Sequence, residues 1–276
     1  MATPRPGAAE AYAGAAGAST SRFARRRVAR EHGRMARRAA LAALLVLVAA
    51  AGALAGLRRL ARARTFQLAG ALVARVPTTE RRVALTFDDG PTAAPLDTLL
   101  AVLGARGVRA TFFVTGRELA AAPDAGRRLV AAGHELGNHT WSHRRLVLVS
   151  GATVRAELAP TDSLIRLAGH VGPIHVRPPY GYKLVALPRH LAGAGRTTVM
   201  WDVEPDSYAA VAATPEGIVR HVLDRVRPGS IILLHPWYPS RRTSLAAVGP
   251  LVDSLRARGW TVGPVGDLLR RAPGAS

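Results

Sequence analysis

The 276-residue chain contains no cysteine, which excludes a disulfide framework, a thiolate metal site and a cysteine nucleophile. Any metal it binds must be held by histidine and carboxylate. Aromatic residues make up only 5% of the sequence and no basic stretch is interleaved with them, so the stacking platforms of a nucleic-acid binder are scarce. Lysine is nearly absent: Lys183 is the single lysine among 38 cationic side chains. Acidic residues number only 18, for a formal net charge of +20. That surplus is unevenly spread, because residues 1–79 carry 14 Arg against 2 Glu, or +12, and the rest of the chain only +8. Charge gathered beside an apolar segment suits approach to anionic lipid or wall polymer, and nucleic acid is not expected as a partner. What the sequence has in plenty is apolar surface, 49% of residues, enough for one sizeable core.

Residues 1–38 are rich in Ala, Gly, Ser and Arg with few large apolar side chains, a composition that reads as a disordered basic tail on the cytoplasmic side. Residues 39–57 follow as an uncharged apolar run with no polar face, close to the roughly 20 residues that cross a bilayer. Eight Arg lie between Arg22 and Arg38 against five from Arg58 to Arg75, so the positive-inside rule favours a signal anchor with a cytoplasmic N-terminus. Ala53-Leu54-Ala55 also fits the small-x-small pattern of a cleaved leader, although the long basic leader favours an uncleaved anchor. The catalytic domain is then expected at residues 80–276, outside the cytoplasm, with residues 58–79 as a linker whose apolar run Leu68 to Ala74 is too short to span.

From Arg82 onward short β-rich runs alternate with helical stretches. Strands are predicted at Val83–Phe87, Ala110–Val114, His134–Gly137, His175–Arg177, Thr197–Trp201, Ser230–Leu234 and Trp260–Val262. Helices are predicted at Leu96–Ala105, Arg117–Ala132, Ala152–Ala168, Pro215–Val226 and Leu245–Arg258. Such alternation predicts an α/β fold with a largely parallel sheet, and no internal repeat is visible.

In such folds reactive residues gather at the carboxyl ends of strands, and here those ends are polar. The first strand runs into Asp88-Asp89-Gly90-Pro91, by itself ordinary turn composition. Two adjacent carboxylates point different ways, however, and their repulsion is costly unless a cation is near. His139 and His143 are four apart, a spacing that puts both imidazoles on one side of a helical turn. With Asp89 they make a two-His, one-carboxylate set that leaves room for water, as catalytic zinc requires. Arg177 follows another strand and suits a partner for Asp88. His235 ends an apolar run, where a histidine is ordinarily a buried structural residue, yet it too stands at a strand end.

Five segments in order carry a resemblance: Thr86-Phe-Asp-Asp-Gly90, His139-x-x-Ser-His143, Arg177-Pro-Pro-Tyr180, Trp201-Asp-Val-Glu-Pro-Asp206 and Leu233-Leu-His235. Together they resemble the motifs of the polysaccharide deacetylase family with its NodB homology domain. The resemblance implies a distorted (β/α) barrel of about seven strands and a divalent metal, usually zinc, at Asp89, His139 and His143. It further implies Asp88 as general base held by Arg177, His235 as general acid, and the Tyr180 backbone amide as an oxyanion donor. Leu233, Pro179 and Tyr208 would shape the pocket for an N-acetylated glycan.

The fourth motif departs from the family pattern, which has Asp-x-x-Asp-Trp; here Glu204-Pro205-Asp206-Ser207-Tyr208 is one residue out of register and ends in Tyr. The partner of His235 is therefore Asp202, Glu204 or Asp206, with Asp206 favoured. The implied activity is hydrolysis of N-acetyl groups on peptidoglycan or exopolysaccharide N-acetylglucosamine. A deacylase of a lipid-linked sugar, another amide hydrolase, and a catalytically silent glycan-binding protein stand as alternatives, since a fold does not fix a substrate.

Overall fold

The computed structural model of the protein describes residues 8–271; residues 1–7 and 272–276, at the outer ends of the expected tail and catalytic domain, lie outside the described residues. Two compact units divide at Arg58 and Arg59. The first is built on helix α1, Ala8–Ala61. The stretch whose composition reads as disordered is thus helical from Ala8, because Ala and Arg favour helices and no proline falls between Ala8 and Ala61. Within α1 the 25 residues Arg37–Ala61 are long and apolar enough to cross a membrane, by length and composition.

The second unit holds the barrel. In chain order its elements are β1 (Leu72–Val73), β2 (Arg82–Asp88), α2 (Ala93–Gly104), β3 (Thr111–Val114), α3 (Gly116–Ala121), α4 (Pro123–Ala131), β4 (Glu135–Asn138), α5 (Gly151–Leu167), α6 (Ala186–Gly193), β5 (Thr198–Val199), α7 (Pro215–Leu223), β6 (Ile231–Leu234), α8 (Arg242–Ala257), β7 (Thr261–Gly263) and α9 (Val265–Leu269). Strands β4-β3-β2-β6 lie side by side in parallel, with β7 paired to the first half of β2. Single-residue bridges carry the ring onward: Asn138 to Val176, Val176 to Thr198 of β5, then β5 to β1, and Arg75 to Ser230 beside β6. The result is an α/β fold with a distorted, largely parallel barrel whose ring closes through the antiparallel bridge of Arg75 to Ser230.

The period-two alternation of β2 sorts its side chains. Val83, Leu85 and Phe87 pack outward against Leu96, Leu99 and Leu103 of α2 and Leu251 and Leu255 of α8. Ala84 packs inward with Phe113, Met200, Trp201, Ile231 and Leu233. Thr86 and Asp88 share the parity of Ala84, so the last inward residue of the strand is a carboxylate.

Four differences from the sequence reading have physical causes. The expected linker supplies β1 and two core residues, Ala74 and Val76, so the domain begins before residue 80. The strand expected at His175–Arg177 is reduced to a bridge at Val176, since Pro178 and Pro179 offer no N–H to prolong a ladder. The helix expected over Arg117–Ala132 is two helices because Pro123 starts a new one. Helix α6, absent from the expectation, packs Leu187 and Leu191 against Leu146, Val154, Leu158 and Val176.

Candidate active site

Asp88 ends β2 with its side chain 2% exposed, a position tenable for an ionised carboxylate only with a partner. Arg177 provides it: Nη1 donates to Asp88 Oδ1 at 2.7 Å and to Thr86 Oγ1 at 2.8 Å. The remaining donors reach across to β5 and its exit, Nε to the Val199 carbonyl at 3.2 Å and Nη2 to the Met200 carbonyl at 3.0 Å. The guanidinium lies 4.1 Å from the centre of the Phe113 ring. Burial depresses the Arg177 pKa and the Asp88 charge opposes that fall.

Asp89 turns the other way. Its Oδ1 lies 3.4 Å from His139 Nε2 and 3.1 Å from His143 Nε2. Burial raises the Asp89 pKa, but the imidazoles close to it more than reverse that rise and hold the carboxyl well below its usual range. His139 Nδ1 donates to the Arg177 carbonyl at 2.7 Å, which fixes the ring so that Nε2 is the nitrogen turned toward Asp89.

The histidine pair does not sit on a helical turn, as its spacing suggests, but on the loop after β4, where Thr140 and His143 have positive φ. Glu157 of α5 takes the place of helical hydrogen bonding. It accepts from the Trp141 N–H at 3.0 Å and the Ser142 N–H at 2.8 Å through Oε2, and from the Ser142 hydroxyl at 2.7 Å through Oε1. Asn138 Oδ1 accepts from the Thr140 N–H while its amide donates to Asp162 and the Leu158 carbonyl. Of the five described non-glycine residues with left-handed backbone, Asp89, Thr140, His143 and Tyr180 lie in the motif segments. Such conformations cost about 1–3 kcal/mol each and persist where surrounding structure over-determines them.

His235 follows β6. Its Nδ1 is 3.1 Å from Asp206 Oδ1, and its N–H donates to Oδ2 at 2.7 Å. The Ser244 hydroxyl of α8 also donates to Oδ2, at 2.8 Å. Asp202 instead accepts from Ser230 and the Ile231 N–H, and Glu204 from Trp201 Nε1 and Ser207. Of the three candidate acids, then, Asp206 meets His235. Burial lowers the His235 pKa, but the Asp206 hydrogen bond and charge, with Asp89 and Asp88 adding to them, push it up to about 9.

Not every expected residue joins this group. Tyr180 is half exposed and its ring centre is 4.7 Å from that of His143. Pro179 is buried beside it, and Leu233 is buried in the barrel interior with Phe113 and Met200. Tyr208 stacks on His221 of α7. Glu157, Asn138 and Ser244 support the site but carried no motif signal, and Thr86, inside the first motif, had no role expected of it. Gly90 was legible only as a turn residue, yet a Cβ there would stand 2.1 Å from the Trp237 ring, so glycine is required by that close approach.

A metal fits these residues. Asp89 Oδ1 is a buried oxygen with no hydrogen-bond partner, and Asp89, His139 and His143 offer ligand atoms within 4.8 Å of one another. Two donors about 2.1 Å from one tetrahedral ion stand about 3.4 Å apart, close to the spacings between Asp89 and the imidazoles. The donor set of two imidazoles and a carboxylate suits zinc.

Comparison with known proteins identifies the family. A family model for polysaccharide deacetylase matches residues 75–199. A chitooligosaccharide deacetylase of Bradyrhizobium is 38% identical over 200 residues, covering 68% of this chain and 90% of the relative. A peptidoglycan-N-acetylglucosamine deacetylase of Bacillus cereus is 32% identical over 196 residues, covering 71% and 91%. Among solved structures, a family 4 carbohydrate esterase from Streptomyces lividans in complex with acetate superposes with a TM-score of 0.60 at 34% identity, over 66% of this chain and 91% of that one.

Proposed function

Because the chain belongs to the polysaccharide deacetylase family, we propose that it hydrolyses N-acetyl groups on an amino-sugar glycan, N-acetylglucosamine of peptidoglycan or exopolysaccharide, releasing acetate. The observation that carries this reading is the meeting of an unpartnered Asp89 oxygen with two imidazoles, beside a carboxylate and a histidine that each have their own partner.

Asp89, His139 and His143 would hold a divalent cation, zinc on this donor set, which when bound supplies Lewis acidity toward water and the amide carbonyl. Asp88 acts as general base. Its Oδ1 is committed to Arg177, leaving Oδ2, 3.7 Å from His139 Nε2, to take a proton from the attacking water. Arg177 fixes the rotation of the Asp88 carboxylate through the bond to Oδ1. As the carbonyl carbon becomes tetrahedral, the Tyr180 N–H donates to the developing oxyanion. His235, its Nδ1 bonded to Asp206, uses Nε2 to deliver a proton to the amide nitrogen, so an amine departs instead of an amide anion. Pro179, Leu233 and Tyr208 are proposed as walls for the acetyl group and sugar.

The apolar segment Arg37–Ala61 supports a membrane-anchored enzyme whose catalytic domain works outside the cytoplasm. The deciding experiment assays the full chain for acetate release from N-acetylglucosamine oligomers and peptidoglycan, with and without chelator. Chelator-sensitive release is expected. A chain that binds zinc but releases no acetate from either substrate overturns the proposal and leaves the lipid-linked sugar deacylase, the other amide hydrolase and the silent glycan-binding protein as the remaining readings.

A further inference from the structure

Beside the site lies a cluster of arginines and aromatic rings that the deacetylation chemistry does not use. Arg145 lies over two rings, 4.8 Å from the centre of Tyr180 and 5.2 Å from that of Tyr182. Arg62 approaches Tyr182 as well, at 5.3 Å, so Tyr182 is flanked by two guanidinium groups. Arg64 lies 5.6 Å from the Trp201 ring and 4.0 Å from Glu204, a long and screened contact. Arg62 and Arg145 are both exposed, and among the described residues neither has a carboxylate partner.

The placement is fixed by backbone bonds. The Lys183 N–H donates to the Ala61 carbonyl at 2.9 Å, and its buried ammonium donates to the Ala63 carbonyl. Ala61 is 1% exposed. The segment bearing Arg62 and Arg64 is thereby pinned to the loop bearing Tyr180 and Tyr182, and the Tyr180 ring in turn contacts His143. Cationic planes stacked on rings keep their hydrogen-bonding edges free for a planar or tetrahedral anion.

We propose that Arg62 and Arg145, with Arg64 flanking them, form a subsite for an anionic group, carboxylate or phosphate, carried by the glycan substrate, and so select acidic N-acetylated glycans over neutral ones. The inference rests on the deacetylase reading and supplies its substrate class. A lipid headgroup is the competing source of negative charge, but the unbroken run of ring contacts from Arg145 through Tyr180 to His143 favours a ligand that also enters the catalytic site.

The test compares two soluble tetrasaccharides on the full chain in detergent: N-acetylglucosamine tetramer, which is neutral, and an alternating N-acetylglucosamine and N-acetylmuramic acid oligomer, which bears carboxylates. In the Arg62→Gln/Arg145→Gln variant the ratio of kcat/KM for the acidic over the neutral oligomer should fall about tenfold, the equivalent of about 1.4 kcal/mol. Raising the salt concentration should lower the same ratio in the unsubstituted chain, a readout that needs no variant to fold. An unchanged ratio overturns the inference, as does a variant that loses only its binding to vesicles containing anionic lipid. If the unsubstituted chain releases acetate from neither oligomer, the deacetylase reading has failed. The subsite is then judged by calorimetric binding of the same two oligomers, where an equal affinity for both overturns it.

Discussion

The two sides of the site are finished to different degrees. On the proton-handling side each group already has a protein partner: Asp88 Oδ1 is tied to Arg177, and Asp206 receives His235 twice and Ser244 once. On the other side Asp89 Oδ1 is buried without a hydrogen-bond partner, facing two imidazole nitrogens. Leaving a buried polar atom unmet costs about 1–3 kcal/mol, so one side is complete in the polypeptide and the other is completed from outside it. Residues that move protons must hold one orientation, whereas residues that bind an ion must keep lone pairs available.

Breaking the unfinished side should have the largest effect. Asp89→Ala, His139→Ala and His143→Ala are each expected to abolish tight zinc binding, read by elemental analysis, and to lower acetate release roughly 10⁴-fold. Adding zinc should raise the Tm of the unsubstituted chain and leave these variants unmoved. Asp88→Asn breaks the finished side. It should keep the metal and lose about 10³-fold in turnover, because one carboxylate oxygen no longer takes a proton; a normal rate in a zinc-loaded Asp88→Asn protein would remove Asp88 as the base.

Asp206→Asn sharpens the comparison through pH. His235 is held protonated up to about 9, so activity should fall as pH rises through the His235 pKa. Zinc, by offsetting the charges of Asp89 and Asp88, should bring that limb below about 9. In Asp206→Asn the limb should move further down toward the ordinary histidine value of about 6.5, with about a 100-fold loss of rate above it. The same raised pKa makes the His235 contribution to stability full below about 6.5 and lost as pH rises through about 9. Asp206 runs the opposite way: burial raises its pKa, bonding to His235 more than reverses this, and its contribution is lost in acid as pH falls through the depressed value.

The smallest expected effect comes from Glu157→Gln. It leaves every ligand in place but weakens the bonds that shape the loop between His139 and His143, so zinc affinity should drop about tenfold with turnover of the loaded enzyme nearly preserved. An unaltered zinc affinity would show that the loop holds its shape without Glu157.

Much of this site was legible because chemistry collects at strand ends, and Asp88, Asp89, His139, Arg177 and His235 each follow a segment of regular β pattern. The sequence also showed that Asp88 and Asp89 must point different ways, though which of them faces inward came from the packing of Ala84 on the same side of β2. What sequence could not show was support from afar. Glu157 is an ordinary helical glutamate 14 residues beyond His143, and Ser244 sits in the first turn of α8. The choice among Asp202, Glu204 and Asp206 depends on how a turn folds over β6, which no spacing encodes. The barrel itself was expected only through the family resemblance and could not be read from the strand pattern, since β1 and β5 are two residues long and the Val176 link is a single bridge. Pro123, by contrast, was a visible stop signal inside the helix expected at Arg117–Ala132.

That thin closure has a further consequence. Between β4 and β5 the ring is joined at Val176 alone, and the guanidinium of Arg177 fastens the adjoining edges by gripping Val199, Met200 and Asp88 together. A seam of this kind opens before the thick wall around β2 does. Warming should therefore silence the enzyme while most of its secondary structure survives, with amide exchange quickening first at Val176 and Val199 and only later at Leu85 and Ile232.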